Sequence, residues 1–261
     1  MKSKYTGELK VLMIGTIHFD LKGPDRLKNA LESVEPDIIT IEWPKNVDPV
    51  DPILSDIKKG YIEQINHLRL PRSLENFLVK IINISGYEII ATIEYAKKHD
   101  IPVHFIDVDM NSTPKVYDNN FAKQLINGFV ENLSEGATLD TFLREIDRTS
   151  IEEMFQNFQG VVDTAYTSPE KVPDFLLPKG IYCSCRCLEE REKYMANEIS
   201  KVLEENPGKD VVHIGGAMHT FPKFWEIIKE RLGCDGKNLA EMLTEKGVEV
   251  TAYKLIEFEK Q

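Results

Sequence analysis

Val11-Leu12-Met13-Ile14-Gly15-Thr16-Ile17-His18 decides the fold, and Val211-Val212-His213-Ile214-Gly215-Gly216-Ala217-Met218-His219 repeats its pattern near the other end of the chain. Each is a short apolar run that reaches glycine, and each carries a histidine three residues beyond a glycine. An apolar run bounded by a turn signal predicts a strand buried on both faces, as in a parallel sheet between helical layers. Glycine at the end of such a strand permits a tight turn or a close backbone approach.

Outward from the first run, Gly23-Pro24-Asp25 opens a helix through Arg26-Leu27-Lys28-Asn29-Ala30-Leu31-Glu32. Glu35-Pro36-Asp37 closes it, because the residue before a proline is driven out of the helical region. Asp37-Ile38-Ile39-Thr40-Ile41-Glu42 is a second strand, and a strand-helix-strand unit of this length predicts a parallel pair. Pro44 to Pro52 reads as a turn-rich connection, and Ser73 to Lys98 as helix with a break at Ser85-Gly86. Ile101 to Val108 is a third strand, and Asp118 to Gly160 an amphipathic helical stretch. Pro169, Pro173 and Pro178 mark Thr167 to Gly180 as a loop or crossing segment. Leu188 to Glu205 is a long helix ended by Asn206-Pro207-Gly208. Asp210 to Gly216, Phe221 to Arg231 and Gly247 to Leu255 follow as strand, helix and strand. The reading is one α/β domain over residues 1–261, with a mostly parallel central sheet. Two pseudo-symmetric strand-GxxH-helix-strand halves build it, and a helical region is inserted at about 52–175.

Composition narrows the partners. Of 261 residues, 42% are hydrophobic and 29% charged, the balance of a folded globular chain. Asp and Glu number 43 against 32 Lys and Arg, a formal charge of −11. That charge repels phosphate backbones and anionic bilayers, so no nucleic acid and no membrane surface is expected as a partner. No apolar run approaches the ~20 residues of a bilayer span. The polar residues 1–8 lack the apolar core of a signal peptide, and the cytoplasm is the expected compartment. Cys183, Cys185 and Cys187 stand at alternate positions, with Cys234 apart. Alternate residues of an extended chain point to opposite sides, and the Cys-x-x-Cys spacing of zinc sites is absent. A reduced loop or strand is expected there.

A histidine just beyond a buried strand points into the space above the sheet edge, where open parallel sheets place their ligands. Imidazole is the natural general base or transition-metal ligand near neutral pH. His18 and His219 are therefore the main candidates for chemistry. Glu42, closing the second strand before Trp43 and Pro44, is their expected acidic partner, because a carboxylate there is costly to bury unpaired. It would orient His18, activate a water or help to hold a metal. Asp107 ends the third strand near the same edge. Other polar residues have simpler readings. The helix dipole favours Glu88 in a first turn. Arg191 reads as one half of a surface pair, Asp20 as a cap and His213 as a hydrogen-bonded core residue. His67, His99 and His104 fit no partner pattern.

Taken in order, Gly15-Thr16-Ile17-His18, Ile41-Glu42, Gly86-Tyr87-Glu88, Ile106-Asp107, Glu190-Arg191-Glu192-Lys193-Tyr194-Met195-Ala196 and Gly216-Ala217-Met218-His219 cover most of the chain. Together they resemble the TraB/PrgY–TIKI superfamily of metalloprotease-like proteins, whose relatives include erythromycin-esterase-like and ChaN-like proteins. The resemblance implies a hydrolase site built from His18, Glu42 and His219, which would hold a divalent transition metal such as zinc, manganese or cobalt. Glu88 and Arg191 would support that site or orient the substrate. The expected reaction is peptide hydrolysis by a metal-activated water, with Arg191 stabilising the developing oxyanion. Two other functions fit the same residues. One is a metal-independent ester hydrolase with His18 as base, oriented by Glu42. The other is a non-enzymatic binder of a signalling peptide, haem or iron. The substrate is expected to be a peptide or a small molecule, and self-association is left open. Many members carry a membrane anchor, which has no counterpart in these motifs.

Overall fold

The computed structural model describes residues 9–45, 53–67, 70–108, 149–171, 185–233 and 235–259. Five strands, β1 (Lys10–Thr16), β2 (Ile38–Pro44), β3 (Val103–Asp107), β4 (Val211–Gly216) and β5 (Glu249–Lys254), form one sheet. Their order is β3-β2-β4-β1-β5, and every pairing is parallel. The expected direct pairing of β1 with β2 is corrected here, because β4 lies between them. Every position of β4 is buried, and so continuous an apolar strand belongs between two strands and two helical layers. The mostly exposed β5 takes an edge instead.

Each of the crossovers β1 to β2 and β4 to β5 skips one strand, so the series β2-β4-β1-β5 is symmetric about the line between β1 and β4. The two halves interleave rather than lie side by side. Both motif strands are thereby central neighbours, with Gly15 opposite Gly215 and Thr16 opposite Gly216. The two histidine turns leave the same edge of the sheet from adjacent strands.

Nine helices flank the strands among the described residues: α1 (Gly23–Val34), α2 (Ile53–His67), α3 (Arg72–Ile84), α4 (Tyr87–His99), α5 (Ile151–Thr167), α6 (Cys185–Glu205), α7 (Ala217–Thr220), α8 (Pro222–Leu232) and α9 (Leu239–Glu245). Strand residues alternate between two apolar clusters, as the period of two requires. Ile14, Ile39, Ile41, Val212 and Ile214 pack with α1, α3, α4 and α5. Val11, Met13, Ile38 and Val211 pack with α6 and α9.

The expected break at Ser85-Gly86 is present, with Gly86 at φ 74° and a 45° bend between α3 and α4. Among the described residues no single helix is long and apolar enough to cross a membrane. Helix α9 escaped the sequence reading, although Asn238 and Glu241 form a capping box at its start. Cys185 and Cys187 open α6 rather than lying in a loop or strand, because the helical pattern of Leu188 onward extends back through them. Cys183 and Cys234, most of Asp118 to Gly160 and the segment 172–184 lie outside the described residues.

Candidate functional site

The carboxyl edge of the sheet gathers the polar side chains. Past β1 the chain makes a tight turn in which the amide of Asp20 donates to the carbonyl of Ile17 (2.9 Å). His18 projects from this turn with its side chain 61% exposed. Past β4, the single turn α7 carries His219 into the interior, where it is 1% exposed. The two turns come close because Gly15 has no side chain: a Cβ there would lie 3.3 Å from the Cα of Ala217 and against the Phe221 ring.

Each histidine has its own carboxylate. His18 Nδ1 lies 2.8 Å from Glu88 Oε1, which also accepts from the Thr16 hydroxyl (3.1 Å). Glu88 stands in the first turn of α4, where the dipole stabilises an anion. The acidic partner expected for His18 was Glu42, and the hydrogen-bonded partner is instead Glu88. Desolvation lowers the His18 pKa, but the Glu88 charge and hydrogen bond, with Glu42 beyond, outweigh it and leave the imidazole raised above 6.5.

His219 is gripped on both sides. Nδ1 donates to Glu192, a fully buried residue of α6, and Nε2 faces Glu42 Oε1 at 3.2 Å. Arg191 Nη1 lies 3.3 Å from the same Nε2. A neutral His219 would accept from Arg191 there, whereas an imidazolium donates to both carboxylates. Burial opposes the charge, but Glu192 and Glu42 prevail, and the pKa is raised to about 10. The two carboxylates thus favour the protonated form of this buried imidazole.

Glu42 is the hub. Its Oε2 accepts from the Gly216 amide (2.9 Å), and its Oε1 takes Arg191 Nη2 as well as His219. Burial would raise its pKa, but His219 and Arg191 hold it well below the usual carboxylate range. Arg191 is no surface pair: its guanidinium also makes a two-pronged bridge to Asp107 (2.8 and 2.7 Å). It sits here because α6 turns its apolar stripe, with Met195 and Ala196, inward from the same turns.

All five predicted residues, His18, Glu42, Glu88, Arg191 and His219, therefore meet at one edge. Asp107 joins them, and Glu192 is the residue sequence reading missed. Its signal was present: Leu188, Glu192, Met195, Ala196 and Ile199 recur at helical spacing, so Glu192 is a carboxylate on an otherwise apolar stripe. His213 is the core histidine expected: it is fully buried, 3.1 Å from the Thr40 hydroxyl, and burial pushes its pKa down to about 4. Asp20 does not reach His18. It accepts from the Lys22 amide and pairs with the buried Arg26 (2.8 Å) and Gln159 (2.9 Å).

The three residues named as metal ligands, His18, Glu42 and His219, do not fit a cation as arranged. Both nitrogens of His219 are committed to carboxylates, and the Arg191 guanidinium stands where a positive ion would approach Glu42. Among the described residues no group of three His, Cys, Asp or Glu side chains is placed to hold a metal. What the site does present is a convergence of polar atoms beside Gly216. The position a Cβ would take there is 3.7 Å from His18 Nε2, 3.7 Å from Glu42 Oε2 and 3.4 Å from His219 Cδ2.

No protein-family model matches the chain, and no curated protein matches it. Among solved structures, it is similar to an erythromycin esterase variant in its open conformation, with a TM-score of 0.38 and 12% identity over 94% of this chain and 69% of that one.

Proposed function

We propose that the chain is a metal-independent hydrolase of carbonyl esters in which His18 is the general base, oriented by Glu88. The observation that carries this reading is the His18–Glu88 bond at Nδ1, which leaves Nε2 without a hydrogen-bond partner among the described residues, on the same side of Gly216 as Glu42 Oε2. A water beside Gly216 donates one hydrogen to His18 Nε2 and is held through the other by Glu42. As its oxygen adds to the ester carbonyl carbon, the proton passes to Nε2. When the tetrahedral intermediate collapses, the departing alkoxide takes that proton back and His18 is neutral again. Glu42 is too weakly basic for the same task, since His219 and Arg191 keep it ionised. On this reading the chain stands beside the hydrolase-like members of the superfamily it resembles. A metal-dependent peptidase would need His219 to shed a proton and Arg191 to move aside.

The test is the pH dependence of kcat/KM on an aryl ester. His18 must be neutral to act, and its pKa is raised from 6.5, so activity should fall as pH drops through a value above 6.5. Glu88→Gln removes the main raising charge and should move that limb downward. An acid limb unchanged by Glu88→Gln would reject the dyad.

Gly216→Ala should separate site from fold. Gly216 lies at φ −59° and ψ 143°, which any residue adopts, and the added methyl meets its neighbours at ordinary contact distance. Urea denaturation should show a change within about 0.5 kcal/mol. Turnover should fall about 100-fold, because the methyl takes the water's space. Unchanged turnover would place the attacking water elsewhere.

A further inference from the structure

On the hydrolase reading just proposed, His18 has to be held in one direction although its side chain is largely exposed. We propose that Tyr87 and Tyr166 are positioning residues for His18: their hydroxyls hold the carbonyl and the amide of Ile17 and fix the direction in which the next side chain leaves the main chain.

The Ile17 amide donates to the Tyr166 hydroxyl (2.9 Å), and the Tyr87 hydroxyl donates to the Ile17 carbonyl (3.3 Å). The Ile17 carbonyl also accepts from the Asp20 amide (2.9 Å), so both polar groups of this peptide position are held. Both rings are buried, Tyr87 at 3% and Tyr166 at 0% exposure, so water cannot replace either partner. Burial pushes both phenols up, and they stay protonated. The Tyr87 ring covers Gly23 so closely that no side chain would fit there.

The grip is continuous along the turn. Thr16 is held by Glu88 and the Gly215 carbonyl, Ile17 by the two tyrosines and His18 by Glu88. Tyr87 and Glu88 are successive residues of α4, and Tyr166 comes from α5. The helical layer thus reaches under the sheet edge and locks the backbone, while the imidazole stays open to solvent. A reactive group in the open needs such support from rigid neighbours.

The experiment measures imidazole ¹⁵N shifts at alkaline pH, where His18 is neutral, alongside ester hydrolysis. In the parent protein the Glu88 bond should hold His18 in the Nδ1–H tautomer. Tyr166→Phe and Tyr87→Phe should each give a mixture with the Nε2–H form, and kcat should fall about tenfold with KM unchanged. Tyr95→Phe is the control: it also deletes a buried phenol, one bonded to the Leu31 carbonyl at 2.9 Å on the same helix, away from His18. It should lower the melting temperature comparably yet leave tautomer and kcat alone. Should Tyr166→Phe fail to fold, Tyr87→Phe, with the longer bond, decides. Parental tautomer and kcat in the tyrosine variants would overturn the positioning role. So would a mixed tautomer in Tyr95→Phe. If the parent hydrolyses nothing, the ester-hydrolase reading fails, and the tautomers still judge the clamp.

Discussion

His18→Asn is expected to lower kcat for an aryl ester about a thousandfold with little change in KM, the loss that follows removal of a general base. The fold should be indifferent. The side chain is 61% exposed, and its one described hydrogen bond is to Glu88, a residue that keeps Thr16 as a partner. Stability should therefore stay within about 0.5 kcal/mol of the parent, measured by urea denaturation. The contrast with Glu42 matters. Glu42 also borders the reaction space, but it is tied to Arg191, His219 and the Gly216 amide. Its loss would disturb several groups at once, so a fall in activity there would not identify the base. His18 can be changed almost alone, and a variant that retained parental turnover would remove it from the chemistry.

Glu192→Ala is the change expected to cost most in stability. It leaves the His219 imidazolium, 1% exposed, without the buried carboxylate at Nδ1. Removing one member of a buried pair costs about 3–5 kcal/mol, and Glu42, which remains beside the imidazolium, is already shared with Arg191 and the Gly216 amide. The pair should also shape the pH dependence of stability. The His219 pKa is raised from 6.5 to about 10, so its contribution is fully present below 6.5 and lost as pH rises through about 10. Denaturant titrations should show the parent losing stability across that interval, whereas Glu192→Ala should start lower and follow a flatter course. A variant as stable as the parent, with the same alkaline decline, would mean that His219 is not a buried cation.

Much of this was legible in the chain. The apolar runs ending in glycine located β1 and β4, and the Gly-x-x-His spacing put both histidines at one edge. Period and punctuation placed most of the described elements, down to the break at Ser85-Gly86, but passed over the short helix α9. Pairing was less readable. A strand-helix-strand unit announces parallel strands but not whether another strand enters between them, and β4 enters between β1 and β2. The partnering of charges was also hidden. Glu42 and Glu88 both lie near His18, and only the close approach of α4 to the turn after β1 gives Nδ1 to Glu88. Arg191 looked like a solvated helix residue because its neighbours Glu189 and Glu190 are charged. The stripe through Leu188, Met195 and Ile199 shows instead that this stretch of α6 faces inward. A charged group on a buried stripe was the readable sign of Glu192, and the partner that makes its burial tolerable comes from α7, 27 residues further along.

The most direct test is turnover by protein stripped of metal. The protein would be passed through chelating resin, its metal content measured, and aryl-ester hydrolysis recorded beside an untreated sample and His18→Asn. A His18–Glu88 base acting on water predicts full activity in the stripped protein and almost none in His18→Asn. Activity lost on stripping and restored by zinc, manganese or cobalt would contradict it and return His18, Glu42 and His219 to the role of ligands.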